Sequence, residues 1–177
     1  MILHAAALFL LGFVSLVGQI VLLRELTVAF FGIELVYLIA LGVWLFASAA
    51  GAIAGGRSRS PSPGGTATLF LFFSLSLPLG VPFLRASRTL LGGVPGAYLP
   101  MPLQMAALAF ALAPAGILSG LLFRSAATGF AGKGGTLAGA YGIESAGALA
   151  GGLLVTVCLR WGIQNFPLAL SGSLIAA

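Results

Sequence analysis

Long apolar runs separated by short polar stretches organise the whole chain. The first run covers about residues 2–23 and ends at Arg24-Glu25. Others follow at about 33–54, 66–84, 99–123 and 136–159, and a last one lies at 163–177. Each of the first five approaches the roughly 20 residues that an α-helix needs to cross a ~30 Å hydrocarbon core. A backbone without water must satisfy its own N–H and C=O groups, and a single run of this length does so only as a helix. The pattern predicts an all-α polytopic transmembrane bundle of about six spans, forming one membrane domain over residues 1–177. The sixth run is short: Phe166 to Ala177 gives about 18 Å of helix. It is read as an incomplete span, with the chain stopping inside a helix. The first run is too long for a signal-peptide core and has neither a basic leader nor a clear small-residue cleavage site, so it is read as a retained helix.

Between the runs, residues 24–32 form a connector that can lie as an interfacial helix. RSRSPSPGG, residues 57–65, reads as a solvated loop because Pro, Gly and Ser all favour irregular chain. Residues 85–98 form a second connector, with Arg85, Arg88 and the turn-like GGVPG, and a Gly-containing loop with Arg124 and Lys133 precedes the fifth run. Pro78 and Pro82 predict a kink late in the third span. Pro100 and Pro102 suit a helix start and Pro114 a kink.

Composition sharpens the solvent argument. The chain is 60% hydrophobic and 6% charged, with a mean hydropathy of +1.16. A soluble domain carries about a quarter charged residues, so most of this surface faces lipid. Gly, at 26 residues, recurs inside the runs. The pairs Gly51/Gly55, Gly116/Gly120 and Gly147/Gly151 have the spacing that lets helix backbones approach closely, without identifying the partners. The net charge of +5 does not indicate nucleic acid, because the cations are scattered and sit where loops are expected. Alternating spans place Arg57, Arg59, Arg124 and Lys133 on one side and Arg24, Arg85, Arg88 and Arg160 on the other. The positive-inside rule is balanced, and a cytoplasmic N-terminus is the working orientation. Cys158 is the single cysteine, so no intrachain disulfide forms. The residues offer no metal site, and no phosphate loop, dinucleotide fingerprint, HExxH or nucleophile elbow is present. No catalytic residue and no cofactor site is expected in this chain.

The candidate chemistry rests on three carboxylates, since a charge in hydrocarbon is costly and usually has a reason. Glu144 lies about 5 Å from the centre of the fifth span. Its helical neighbours Ala140, Tyr141, Gly147 and Ala148 form a small-residue face. It is either part of a ligand, ion or proton site or a polar tie between helices. Gln19, Arg24 and Glu25 lie near the end of the first span, and Glu34 starts the second. Arg24 and Glu25 project about 100° apart, whereas Arg24 and Glu34 can meet across the turn. The simpler reading of these charges is capping and interfacial anchoring. His4 reads as solvated or interfacial. Trp44, Trp161, Tyr37, Tyr98 and Tyr141 read mainly as packing or belt residues.

GFVSLVGQIVLLREL (12–26), FFGIEL (30–35), LGVWLFASAAGAIAGGR (41–57) and AGAYGIESAGALAGGLLVTVCLRWG (138–162) resemble the N-terminal membrane domain of bacterial spermidine-synthase-like proteins. The resemblance covers nearly the whole chain. It implies a multi-pass protein of the bacterial inner membrane whose partners are the bilayer and a soluble synthase-like domain, C-terminal or separately encoded. That soluble domain resembles polyamine aminopropyltransferases and would carry the cofactor loop and catalytic aspartates, none of which matches a position here. On this reading the bundle anchors the synthase-like domain or handles a polyamine, with Glu25, Glu34 and Glu144, supported by Arg24, Gln19 and Tyr141, as ligand-binding candidates. The alternatives are a small stand-alone transporter or channel-like protein, and a structural membrane subunit.

Overall fold

In the computed structural model, residues 1–32, 34–57, 63–94 and 96–176 are described. They form six helices and, among the described residues, no strand: α1 Ile2–Ala29, α2 Glu34–Arg57, α3 Pro63–Leu90, α4 Met101–Ala131, α5 Leu137–Arg160 and α6 Asn165–Ala176. Five are long and apolar enough to cross a membrane; α6, with 12 residues, is not. The distribution of side chains agrees with a lipid solvent. Glu25, Ser87 and Gln104 are buried, while Phe46 is 81% and Leu79 66% exposed. The expected all-α membrane bundle is therefore the fold, and the chain is a multi-pass membrane protein.

The helices overrun their apolar windows, which corrects several expected boundaries. The connector at 24–32 is helical as far as Ala29, so Arg24 and Glu25 stand on α1. The connector at 85–98 is helical to Leu90 and puts Arg85 and Arg88 in the last turns of α3. Arg124 lies within α4, which continues to Ala131. Pro63, Gly64 and Gly65, assigned to the 57–65 loop, open α3, while residues 58–62, Ile33, Pro95 and Ala177 lie outside the described residues. The reason is length: 24 to 31 residues give about 36–46 Å of helix. That exceeds a ~30 Å core, so each helix projects its charged turns into the interface.

Local chemistry fixes the ends. Pro100 caps α4 and Pro102 sits in its first turn, where a missing N–H costs nothing. Just beyond the cap, the buried Gln104 amide donates to the Leu99 carbonyl at 2.7 Å. Thr136 caps α5, its Oγ1 accepting from the Gly139 N–H at 3.0 Å. Thr136→Ala is expected to cost about 1 kcal/mol, read as a fall of a few degrees in the detergent melting temperature; an unchanged melting temperature would show the cap to be redundant. At the α1–α2 turn Phe31 (φ 58) and Gly32 (φ 69) are both left-handed. The strained Phe31 is held between the Tyr98 ring, edge-on at 5.4 Å, and the Arg88 guanidinium, 4.2 Å above its centre.

Pro78 does not interrupt α3 but has a consequence for packing. A proline cannot donate to the carbonyl four residues earlier, here that of Ser74. The single Ser173 O–H of α6 is shared between this freed carbonyl and the Ala169 carbonyl. The proline thus gives α3 an acceptor that fastens α6 to it.

The glycine pairs acquire partners. Gly147 of α5 packs against the Phe9 carbonyl of α1, and Gly12 of α1 against the Glu144 carbonyl of α5. Gly51 of α2 packs against the Ile117 carbonyl of α4, and Gly120 of α4 against the Ser48 carbonyl of α2. In both pairs residue numbers rise together along the contact, so α1 runs parallel to α5 and α2 parallel to α4. Each pair is held backbone to backbone, at a distance only a missing Cβ permits.

Candidate functional site

Four helices enclose a cavity of about 460 Å³ near the middle of the bundle. α1 supplies Ser15 and Gln19, α2 Trp44 and Ser48, α4 Ser119 and Phe123, and α5 Tyr141 and Glu144. All lie within about two or three turns of the midpoints of their helices. The cavity exists because of the two glycine contacts. These draw α1 onto α5 and α2 onto α4, while α2 and α5 do not meet: among the described residues, none of their Cα atoms approach within 8 Å. The space between α2 and α5 is the mouth of the cavity, and α1 and α4 form its floor.

Glu144 is half-buried and, among the described residues, makes no hydrogen bond or ion pair. Its backbone is fixed, since its carbonyl is the surface on which Gly12 packs. The Tyr141 ring, one turn earlier, packs against Phe123 with centroids 4.6 Å apart. Ser119 donates to the Gly116 carbonyl and Ser48 to the Leu45 carbonyl, so both hydroxyl oxygens keep lone pairs with which to accept. The set is acceptor-rich: one carboxylate, an amide and three hydroxyls, with Trp44 and Tyr141 adding aromatic faces. Such a lining can hold a small cation by charge, hydrogen bonds and ring contact.

Of the sequence-derived candidates, Glu144, Gln19 and Tyr141 therefore share one cavity. The other three do not. Glu25 is 5% exposed and receives Arg85 in a forked contact, Nε to Oε2 at 2.9 Å and Nη2 to Oε1 at 2.8 Å. The Asn165 amide donates to the same Oε1 at 2.9 Å. This carboxylate is consumed in tying α1, α3 and α6 together. Arg24 and Glu34 are exposed and, among the described residues, form no ion pair with each other, so the contact expected across the turn is replaced by Glu25–Arg85. Among the described residues no group of three His, Cys, Asp or Glu is placed to hold a metal.

Trp44, read from sequence as packing or belt, lines the cavity, and Ser15, Ser48 and Ser119 were missed. The only signal for the serines was their place within small-residue stretches, which describes most of α2 and α4 equally well. Comparison of the chain with protein-family models, with characterised proteins and with solved structures finds no match.

Proposed function

We propose that the chain is the membrane domain of a spermidine-synthase-like protein of the bacterial inner membrane, and that its Glu144 cavity holds the ammonium group of a polyamine-type substrate. The observation that carries the binding part is a carboxylate, unpartnered among the described residues, lining a mostly apolar cavity with a few polar groups near the middle of a lipid-facing bundle. A polar tie needs a partner, and Glu144 has none among the described residues; the tie in this bundle is Glu25. A carboxylate in this setting is stabilised by a cation: at about 4 Å and an effective dielectric near 20, the attraction is about 4 kcal/mol. Gln19 Oε1 and the serine oxygens accept ammonium N–H groups, and Trp44 and Tyr141 offer ring faces to the charge.

One carboxylate neutralises one ammonium. The cavity suits one ammonium end of a diamine or triamine. The family and the soluble synthase-like partner rest on the sequence blocks at 12–26, 30–35, 41–57 and 138–162. Calorimetry of the detergent-purified chain with putrescine and spermidine at low salt is the test. Saturable binding is expected, weakened at least about tenfold by Glu144→Gln, which keeps the shape and removes the charge. Equal binding by both proteins would remove Glu144 from the site, and no binding by the wild type would reject the amine reading.

A further inference from the structure

The two glycine-packed pairs are copies of one arrangement. A methyl group built on Gly12 would stand 2.8 Å from the Glu144 carbonyl carbon and 3.0 Å from Ala148 N. One built on Gly120 would stand 2.8 Å from the Ser48 carbonyl carbon and 2.9 Å from Ala52 N. On the opposite side of each contact, Gly147 meets Phe9 C at 2.7 Å and Cα at 3.0 Å, and Gly51 meets Ile117 C at 2.8 Å and Cα at 3.0 Å. One constant shift in numbering carries Phe9, Gly12 and Phe13 onto Ile117, Gly120 and Leu121. Another carries Ser48, Gly51, Ala52 and Gly55 onto Glu144, Gly147, Ala148 and Gly151. The same register extends to Gly151 on Phe13 and Gly55 on Leu121.

The neighbours follow the same rule. α6 lies on α1 as α3 lies on α4, while α1 meets α4 and α3 meets α6 across the centre. Among the described residues two contacts lack a counterpart: α1–α3 has none between α4 and the shorter α6, and the slight α5–α6 contact has none between α2 and α3. Successive helices reverse direction, so α1 and α4 run oppositely, and the operation relating α1–α2–α3 to α4–α5–α6 is a twofold axis in the membrane plane.

The cavity lies on that axis. The correspondence pairs much of its lining across the middle, Ser48 with Glu144, Leu45 with Tyr141, Leu11 with Ser119 and Ser15 with Phe123, while Gln19 and Trp44 have no counterpart in it. Ser48 is the position of Glu144 in the other half. Within each glycine pair the contact is backbone on backbone and rigid. Between the pairs, no Cα atoms of α2 and α5 come within 8 Å among the described residues, and each half joins its first two helices through a short turn with a left-handed glycine, Gly32 in one and Gly134 in the other. In bundles of inverted repeats, transport proceeds when one rigid unit rocks against the other around a site at their interface.

We propose that the α1/α5 and α2/α4 pairs rock against each other about this axis, opening the Glu144 cavity to the two membrane faces in turn, so that the chain carries its amine across the bilayer rather than only binding it. The cargo in this statement rests on the amine reading above; the symmetry and the two-sided access do not.

Two measurements on the full chain test it. In the first, the carboxylate is moved across the axis. Glu144→Ser alone should weaken putrescine binding more than about tenfold, and adding Ser48→Glu should restore it to within about threefold of wild type. A double variant that elutes and melts like wild type yet binds no better than Glu144→Ser overturns the assigned symmetry. In the second, Ser48→Cys in a Cys158→Ser background is placed in oriented proteoliposomes and exposed to a membrane-impermeant thiol reagent on one side at a time. Labelling from either side alone is expected; labelling from one side only, or from neither, overturns the rocking proposal. Ser15→Cys serves the same purpose should Ser48→Cys fail to fold. Failure of the amine reading appears separately, as absence of putrescine binding to the wild type, and leaves the labelling result to decide access.

Discussion

Gly147→Ala is expected to lower the detergent melting temperature by roughly 5–10 °C, corresponding to about 2–3 kcal/mol for a chain of this size. Gly142→Ala, five positions earlier on the same helix, should leave it unchanged or slightly raised. Both changes add one methyl group to α5. At Gly147 that methyl overlaps the Phe9 carbonyl of α1, a backbone group that cannot rotate away, so the two helices must separate. At Gly142 nothing lies within 4 Å, and the alanine contributes only its better helix propensity, worth up to about 1 kcal/mol. Gly120→Ala meets the Ser48 carbonyl in the same way and should match Gly147→Ala. Thermal unfolding followed by circular dichroism decides the matter: equal melting temperatures for the two α5 variants would mean that α1 and α5 are not in backbone contact.

The second large effect concerns the Glu25 tie, and its direction is asymmetric. Arg85→Ala should destabilise by about 2 kcal/mol, and Glu25→Gln by clearly less. The range for breaking a fully buried pair is about 3–5 kcal/mol; the lower figure reflects a guanidinium that is 53% exposed and already shares its charge with water. Removing Arg85 strands a buried carboxylate with one remaining donor, Asn165. Removing the charge of Glu25 instead releases an arginine that can turn to solvent, and the glutamine oxygen still accepts one of its N–H groups. Melting temperatures of the two variants, measured at low and high salt, test the ordering. A larger loss in Glu25→Gln would mean that the arginine, not the carboxylate, is the costly group to leave alone.

The number and order of the long helices were legible because hydropathy reports the solvent directly. Their ends were not. Arg24, Glu25, Arg85, Arg88 and Arg124 look like punctuation in a hydropathy profile, yet each stands on a helix longer than the hydrocarbon is thick. The glycine spacings signalled close packing, but a spacing describes one helix and is silent about which neighbour it meets. The Glu25–Arg85 pair was illegible for a related reason: the partners are remote in sequence, and the nearer Arg24–Glu34 pair looked equally reasonable. Glu144 stood out by cost alone, and that it shares a cavity with Gln19 and Tyr141 follows from the pairing of α1 with α5. The same pairing exposes the relation between the halves. Residue identity marks it in one stretch, AGAIAGG at 50–56 against AGALAGG at 146–152, while elsewhere the correspondence sets Ser48 against Glu144 and Ile117 against Phe9; what repeats is where a side chain must be missing.

The closest contacts in the bundle join helices made at different times. When α1 and α2 leave the translocation machinery, the groove around Gly12 has no α5 to receive and the face around Gly51 no α4. More than a hundred residues separate Gly12 from Gly147, and at typical synthesis rates the wait is on the order of ten seconds. During that time α1 presents a groove shaped for another helix to whatever segment diffuses past. Biogenesis therefore has a vulnerable interval that the finished bundle does not reveal.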